Sequence, residues 1–296
     1  MTPNIRYSLA LVVLLAFLWG SGYAFTKLVV ETLPPVTVSA LRGLIGGLVL
    51  LAVLGRRTPL LWSAGIGGRV YFVQALFNCI LPWILVAWAS RIIDAGLATI
   101  LNSLSPIFIF AITWGITRHE PATGRKFVGV SLGLAGVLAI IGMNALAGVG
   151  KHTVAELACV VGAICYAIAG VMGRRFATVS PMVPAAGATL MSAAVLVPLA
   201  LLVEGWPAAP SMRSLLGVLA LGFLSTGLAF VVYFRLIATI GAIAMSSQAY
   251  LRIVIGVAVG VVFLGETPTL SMGVGLVLVV AGIVAMTLPA RRRETG

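Results

Sequence analysis

The chain is a succession of apolar runs about as long as a bilayer is thick, separated by short polar breaks. A helix of roughly 20 mostly apolar residues crosses the hydrocarbon core. Such runs recur at roughly 8–28, 35–54, 70–90, 94–117, 125–145, 153–173, 181–203, 213–237, 240–264 and 268–289. Pro34-Pro35, Arg56-Arg57-Thr58-Pro59, Glu120-Pro121, Ser180-Pro181, Trp206-Pro207 and Thr267-Pro268 fall between them. Only 9% of the 296 residues are charged, against about 25% in a soluble domain. A surface facing water on all sides cannot be built from that. Long apolar runs also favour helices over a barrel, because each helix satisfies its own backbone groups in lipid. No break is long enough for a soluble domain. The expectation is an all-α membrane protein with ten transmembrane helices.

A second constraint is repetition at a constant offset. Glu120 and Glu266 lie 146 positions apart, as do Gly129 and Gly275, Gly136 and Gly282, Pro35 and Pro181, and Asn102 and Gln248. Such self-similarity marks a duplicated chain. The halves, 1–147 and 148–296, then hold five spans each and form one integrated transmembrane domain. Five is odd, so the second half enters the membrane from the opposite face. Two inverted five-helix repeats follow, related by a pseudo-two-fold axis in the membrane plane. Secondary transporters use this architecture, with the binding site near the midplane between the repeats.

Charge orients the chain. With both termini cytoplasmic, the cytoplasmic segments hold thirteen basic residues: Arg6, Arg56, Arg57, Arg69, Arg118, Arg125, Lys126, Arg174, Arg175, Arg235 and Arg291 to Arg293. The other side holds four: Lys27, Arg91, Lys151 and Arg213. That is a positive-inside bias. It also accounts for the net charge of +12 without invoking nucleic acid. Arg6 ahead of an apolar run resembles a signal peptide, but the run has a counterpart 146 residues later and reads as the first helix. Cys79, Cys159 and Cys165 lie in apolar runs without metal-ligand spacing, so no metal or cofactor is expected. Gly43/Gly47, Gly129/Gly133 and Gly256/Gly260 are GxxxG pairs, suited to close helix packing or to contacts that open and shut.

Polar residues inside the runs are the candidate site. Residues three, four and seven apart share a helix face. Thr99, Asn102, Ser103 and Pro106 form one such face, and Gly241, Met245, Gln248 and Arg252 another. Asn102 and Gln248 occupy matching positions, and an amide in hydrocarbon needs partners. They line a wet cavity, where an amide both donates and accepts, or they bond between helices. Gln74 and Asn78 pose the same choice. Arg252 lies deep in its run and either meets a substrate carboxylate or forms a structural ion pair. Arg42 lies about two turns from a helix end and could reach the surface along its stem. Pro82 and Pro106 each remove a helix hydrogen bond and can kink the chain beside Asn78 and Asn102. Trp19, Tyr23, Phe77, Trp88, Tyr166, Phe230 and Tyr250 supply aromatic walls or packing, with Trp19 and Tyr166 favoured because their helices open the two halves. Glu120 and Glu266 precede prolines and read as helix-start residues, with gating as the alternative.

The acids restrict mechanism. All seven (Glu31, Asp94, Glu120, Glu156, Glu204, Glu266 and Glu294) lie at or near expected helix ends. A proton relay usually needs a buried carboxylate, so facilitated transport is expected. An integral membrane enzyme would need a cluster of His, Asp or Glu or a nucleophile–base pair, and none stands out. Nor does a filter-like loop or charged ring of a channel.

Several short motifs, in order and repeated, carry a family resemblance. They are Phe17-Leu18-Trp19-Gly20-Ser21-Gly22-Tyr23, Ala40-Leu41-Arg42-Gly43, Ser105-Pro106, and Gly265-Glu266-Thr267-Pro268 with its partner Glu120-Pro121. Over nearly its whole length the chain resembles the drug/metabolite transporter superfamily, in the group built from two five-helix EamA-type repeats. The resemblance implies export of small metabolites from the cytoplasm by alternating access, with amino acids, aromatic or broad-range, the leading substrates. Multidrug or nucleoside-type export is the alternative. It also implies a multi-pass protein of the cell inner membrane, whose partners are a small-molecule substrate and the lipid bilayer and which functions as a monomer. Four-helix multidrug pumps of that superfamily use a mid-membrane Glu in their first helix, and this first helix holds no acid. Arg252 stands where the offset places the counterpart of Pro106, a departure from the pattern.

Overall fold

The computed structural model describes residues 5–55, 65–93, 95–118, 123–146, 150–205, 210–255 and 270–287. Every regular element among them is helical. In chain order these are α1 (Ile5–Val29), α2 (Pro35–Leu54), α3 (Gly68–Ala89), α4a (Ala95–Asn102) with α4b (Ser105–Ile112), α5 (Gly124–Leu146), α6 (Thr153–Met172), α7 (Met182–Val203), α8 (Met212–Ile240), α9 (Ala242–Ile255) and α10 (Leu270–Thr287). Eight helices among the described residues are long and apolar enough to cross a membrane, and α9 is a shorter apolar helix. The chain is therefore a multi-pass membrane protein. Its outer face is apolar, with Leu202 84% exposed, as suits hydrocarbon surroundings. Glu120, Glu266 and the Gly256/Gly260 pair lie outside the described residues.

Helix starts and stops have local causes. Pro35 opens α2, where a missing N–H is tolerated. The orphan donors of that first turn go to α7: Val36 N donates to Glu204 Oε1 at 2.9 Å and Thr37 N to Glu204 Oε2 at 2.7 Å. Thr37 Oγ1 adds a third bond to the same carboxylate at 2.8 Å. Ser211 caps α8, accepting from Ser214 N at 3.2 Å. Gly241, with φ 86°, ends α8 and lets α9 begin at the next residue.

Among the described residues, four helices break regular geometry in their interiors: α3, α4, α8 and, at Ser247, α9. In α3 the turn Leu76–Ile80 is π-helical, with Leu81 N donating to Leu76 O. Pro82 cannot donate to the Asn78 carbonyl, and its ring crowds that turn. In α8 the turn Phe223–Leu228 is π-helical as well. No proline accompanies it; instead Thr226 Oγ1 donates to Leu221 O at 2.9 Å within the widened turn. These two π turns occupy nearly matching places in the two halves, and a third, Thr113–Thr117, follows α4b. Helix α4 is interrupted at Ser103–Leu104, and Pro106 sits in the first turn of α4b. The kink expected at Pro106 is thus a break three residues earlier, followed by a fresh helix start that accommodates proline.

Packing joins helices across the halves. The most extensive pairings are α5 with α10 and α2 with α7, followed by α1 with α8 and α3 with α6. At the α5/α10 seam a Cβ on Gly136 would lie 2.6 Å from Gly275 O, and one on Gly282 would lie 2.6 Å from Gly129 O. Gly136 meets Gly275 while Gly129 meets Gly282, so the two helices run antiparallel with backbones in contact. Gly43 and Gly47 pack on Ser192 and Leu190 of α7. Gly133 receives the ring of Tyr250 instead.

Four apolar clusters result among the described residues: two small ones, around Val29, Val38 and Leu221 and around Ala89, Ala98 and Cys159, and two large ones. Of the large ones, the first joins α1, α2, α3, α7 and α8; the other joins α4b, α5, α6, α9 and α10. An aromatic chain runs through the first: Trp19 contacts Phe230 edge-on at 6.0 Å and Tyr233 at 5.4 Å, and Phe234 contacts Phe176 at 5.7 Å.

These contacts set the stability of three variants. Gly282→Ala presses a methyl onto the α5 backbone and lowers the thermal midpoint of the purified protein in detergent, at a cost of about 1–3 kcal/mol. Gly273→Ala in the same helix, with nothing within 4 Å of its Cβ, leaves the midpoint within about 0.5 kcal/mol. Glu204→Ala frees three donors at the start of α2 and costs about 1–2 kcal/mol in the same assay.

Candidate functional site

Between the two large clusters lies a cavity of about 60 Å³, room for several waters at roughly 10–15 Å³ each. Helices α1, α2, α3, α4, α6, α8 and α9 all contribute to its wall. The face of α1 is Trp19, Gly22, Tyr23 and Thr26, spaced three, four and seven apart. The π turn of α3 brings in Asn78, and the end of α4a brings in Asn102. Helix α9, irregular at Ser247, contributes Met245, Ser246, Gln248 and Arg252.

Two guanidiniums belong to this wall. Arg42 lies 4.3 Å over the ring of Trp83. Its Nε donates to Thr226 Oγ1 at 2.9 Å and its Nη2 to Ser225 O at 3.4 Å. The expected snorkelling to a surface does not occur, because α8's π turn and Trp83 capture the head group at depth. Arg252, 8% exposed, donates from Nη1 to Tyr23 Oη at 3.3 Å. Its guanidinium lies 5.6 Å from the Tyr23 ring and 5.9 Å from the Trp19 ring. Its Nε has no hydrogen-bond partner. Neither cation has a carboxylate partner among the described residues. Glu204 is held at α2, and Glu156 binds the Gly150 and His152 amides.

Trp19 links the two cations. Its Nε1 donates to Ser225 O at 3.0 Å, the same carbonyl that Arg42 reaches. Ser225 Oγ in turn donates to Leu18 O at 2.7 Å. Phe230 and Tyr233 close the wall beside it.

The cavity's amides are buried without partners. Asn78 and Asn102, each 1% exposed, have no bond on Nδ2 or Oδ1, and Gln248 has none on Oε1. Tyr233 Oη is likewise unbonded. Buried polar atoms are bonded in the great majority of cases, so each exception calls for an explanation. Of eleven such atoms among the described residues, seven belong to residues of the cavity wall, while Gln74 Oε1, Thr113 Oγ1, Thr117 Oγ1 and Ser247 Oγ lie off it.

Other expected residues sit elsewhere. Gln74 bridges to α6, its Nε2 donating to Ala169 O at 3.2 Å, and does not line the cavity. Ser103 Oγ donates to Ala249 O at 3.3 Å, across the offset of 146. Tyr250 donates from its hydroxyl to Val130 O at 3.2 Å and fixes α9 to α5. Pro82 and Pro106 are buried in their helices. Trp88 is 37% exposed. Tyr166 lines the cavity, as do Trp19, Asn78, Asn102, Gln248 and Arg252. Sequence reasoning named neither Trp83, Tyr233, Thr26, Ser105 nor Ser246 for the site. Thr26 had a readable signal, seven residues after Trp19 on one face; Trp83 is placed by the π turn, which shifts helix phase and hides it.

Comparison with known proteins agrees with this architecture. The model of the EamA-like transporter family matches residues 6–142 and again residues 153–288. An uncharacterized transporter, YoaV of Bacillus subtilis strain 168, is 25% identical over 285 residues, covering 96% of this chain and 97% of its own. The uncharacterized inner membrane transporter YedA of Escherichia coli K12 is 28% identical over 93% of this chain and 88% of its own. A probable amino-acid metabolite efflux pump of Salmonella typhimurium is 24% identical, covering 96% of each. A solved crystal structure at 23% identity superposes with a TM-score of 0.74 over 97% of this chain and 99% of that one, a likeness of fold. With both halves matched by one family model and the helical fold shared, the chain belongs to the EamA-like transporter family.

Proposed function

We propose that this transporter exports small carboxylate-bearing metabolites, amino acids foremost, by alternating access and without proton coupling. The observation that carries the reading is the set of unbonded amides, Asn78, Asn102 and Gln248, gathered with Arg252 around one buried cavity. Such a set solvates a polar substrate: amides donate to and accept from it, and a guanidinium grips its carboxylate. The named relative from Salmonella supports amino acids as the substrate class. The inner-membrane name of the Escherichia relative supports that location, and positive-inside counting puts both termini in the cytoplasm.

The working unit is a monomer of ten spans in two inverted five-helix halves, 1–147 and 148–296. Three observations support inversion. The glycine contacts of α5 and α10 are reciprocal under the offset of 146, as a two-fold axis requires. Two of the three π turns among the described residues fall in matching helices, α3 and α8; the counterpart positions of the third, Thr113–Thr117, lie outside the described residues. Ser103 bonds its own counterpart, Ala249, where α4 and α9 cross. The two large apolar clusters move as bundles on either side of the cavity, opening it to one face and then the other. The aromatic wall of Trp19, Trp83, Phe230 and Tyr233 favours a second reading, export of neutral nucleoside-like compounds. Cationic drugs are disfavoured by the two guanidiniums.

Initial-rate uptake into liposomes tests these roles. Arg252→Ala lowers transport of carboxylate-bearing substrates by about tenfold or more, in line with loss of a charged hydrogen bond; unchanged transport of all of them refutes the carboxylate role. Asn102→Ala and Gln248→Ala each raise KM by roughly tenfold. Counterflow proceeds at equal pH on both sides, and strict dependence on a pH gradient refutes facilitated export.

A further inference from the structure

Resting on the export reading above, we propose that the cavity is built for a substrate with two carboxylates, one facing Arg42 and the other Arg252. The exported class would be dicarboxylates and acidic amino acids, ahead of neutral amino acids.

The argument begins with charge balance. Arg42 and Arg252 line the same cavity, and neither has a carboxylate partner among the described residues. A single Arg could be answered by the one carboxylate of a neutral amino acid. Two cannot, and the ammonium of such a substrate would enter beside a guanidinium of like charge. The neutral amides of Asn78, Asn102 and Gln248 offer that ammonium carbonyl oxygens but no compensating charge. Uncompensated charges at membrane depth are costly and usually functional.

Geometry separates the two cations into two anion contacts. Arg42 is anchored from α2 on Trp83 and Thr226; Arg252 is anchored from α9 on Tyr23. They reach different parts of Trp19: Arg42 shares the Ser225 carbonyl with the indole N–H, while Arg252 lies over the ring. Each guanidinium keeps donors in reserve. Of five N–H groups, Arg42 uses two and Arg252 one among the described residues, and the Arg252 Nε is unbonded. A carboxylate at each position would take paired N–H bonds. The indole between them packs against the carbon spine joining the two acid groups.

Energetics of export fit an anion. With the cell interior negative, each elementary charge on an exported anion is driven outward by about 50-fold in concentration ratio per 100 mV. Outward movement of a dianion therefore needs no proton relay, in keeping with a first helix devoid of acids.

The test uses the purified full-length chain in liposomes with labelled succinate, L-aspartate and L-alanine at equal concentration. The expected result is that wild-type uptake of succinate and L-aspartate exceeds that of L-alanine by at least tenfold, and that Arg42→Gln lowers the succinate-to-alanine ratio at least tenfold while Arg42→Lys restores part of it. Wild-type uptake of L-alanine equal to or faster than the diacids overturns the inference and leaves amino-acid export standing. So does an unchanged ratio in Arg42→Gln. Uptake of none of the three overturns the export reading itself. The wild-type ratio decides the matter even where the Arg42 variants fail to fold.

Discussion

Two guanidiniums held inside an apolar bundle are the constraint around which this protein is arranged. A guanidinium at the centre of a membrane costs about 3 kcal/mol on insertion scales. The fold meets that cost with aromatic faces and neutral oxygens: Trp83 and Thr226 for Arg42, Tyr23 and Trp19 for Arg252. Cation–π contacts and bonds from charged donors each return about 1–3 kcal/mol in such surroundings. Because the partners are neutral, the positive potential survives in the cavity. Acid partners would have stabilised the resting protein and cancelled the attraction for an anion.

Supporting those cations requires irregular backbone at the same depth. The π turn of α8 presents Ser225 and Thr226 to Arg42 and gives Trp19 an acceptor. The π turn of α3 presents Asn78, and the break after α4a leaves Asn102 at a helix end. Widened or interrupted turns cost hydrogen bonds in lipid unless they line a cavity or meet another helix. Glycine seams hold the remainder rigid: the α5/α10 contact brings backbone against backbone, so little side-chain rearrangement is available there. In the proposed transport cycle, relative motion falls to the boundary between the two large clusters, where the cavity lies.

Much of this was legible in the sequence. Apolar runs gave the helices, and the constant offset of 146 anticipated the reciprocal glycines of α5 and α10. The residues named from face spacing, Asn102, Gln248 and Arg252, do meet in one cavity: Gln248 and Arg252 stand four apart in the regular part of α9 after Ser247, and Asn102 ends α4a. What escaped had physical causes. Arg42 looked close enough to a helix end to snorkel, and only tertiary contacts with α3 and α8 show why it does not. Trp83 follows a π turn that shifts the phase of α3, so a regular helical wheel misplaces it. Gln74, Ser103 and Tyr250 were plausible cavity residues by polarity, yet each finds a backbone carbonyl on a neighbouring helix.

On the proposed function, this cavity carries an anion out of the cell unaided by protons. Transport current across a supported membrane containing the full-length chain tests it most directly, with a dicarboxylate gradient imposed at equal pH on both sides. The expected result is a current whose sign corresponds to negative charge moving down the substrate gradient, lowered about tenfold or more in Arg252→Ala. An absent current, or one that appears only when a pH gradient is applied, would contradict it.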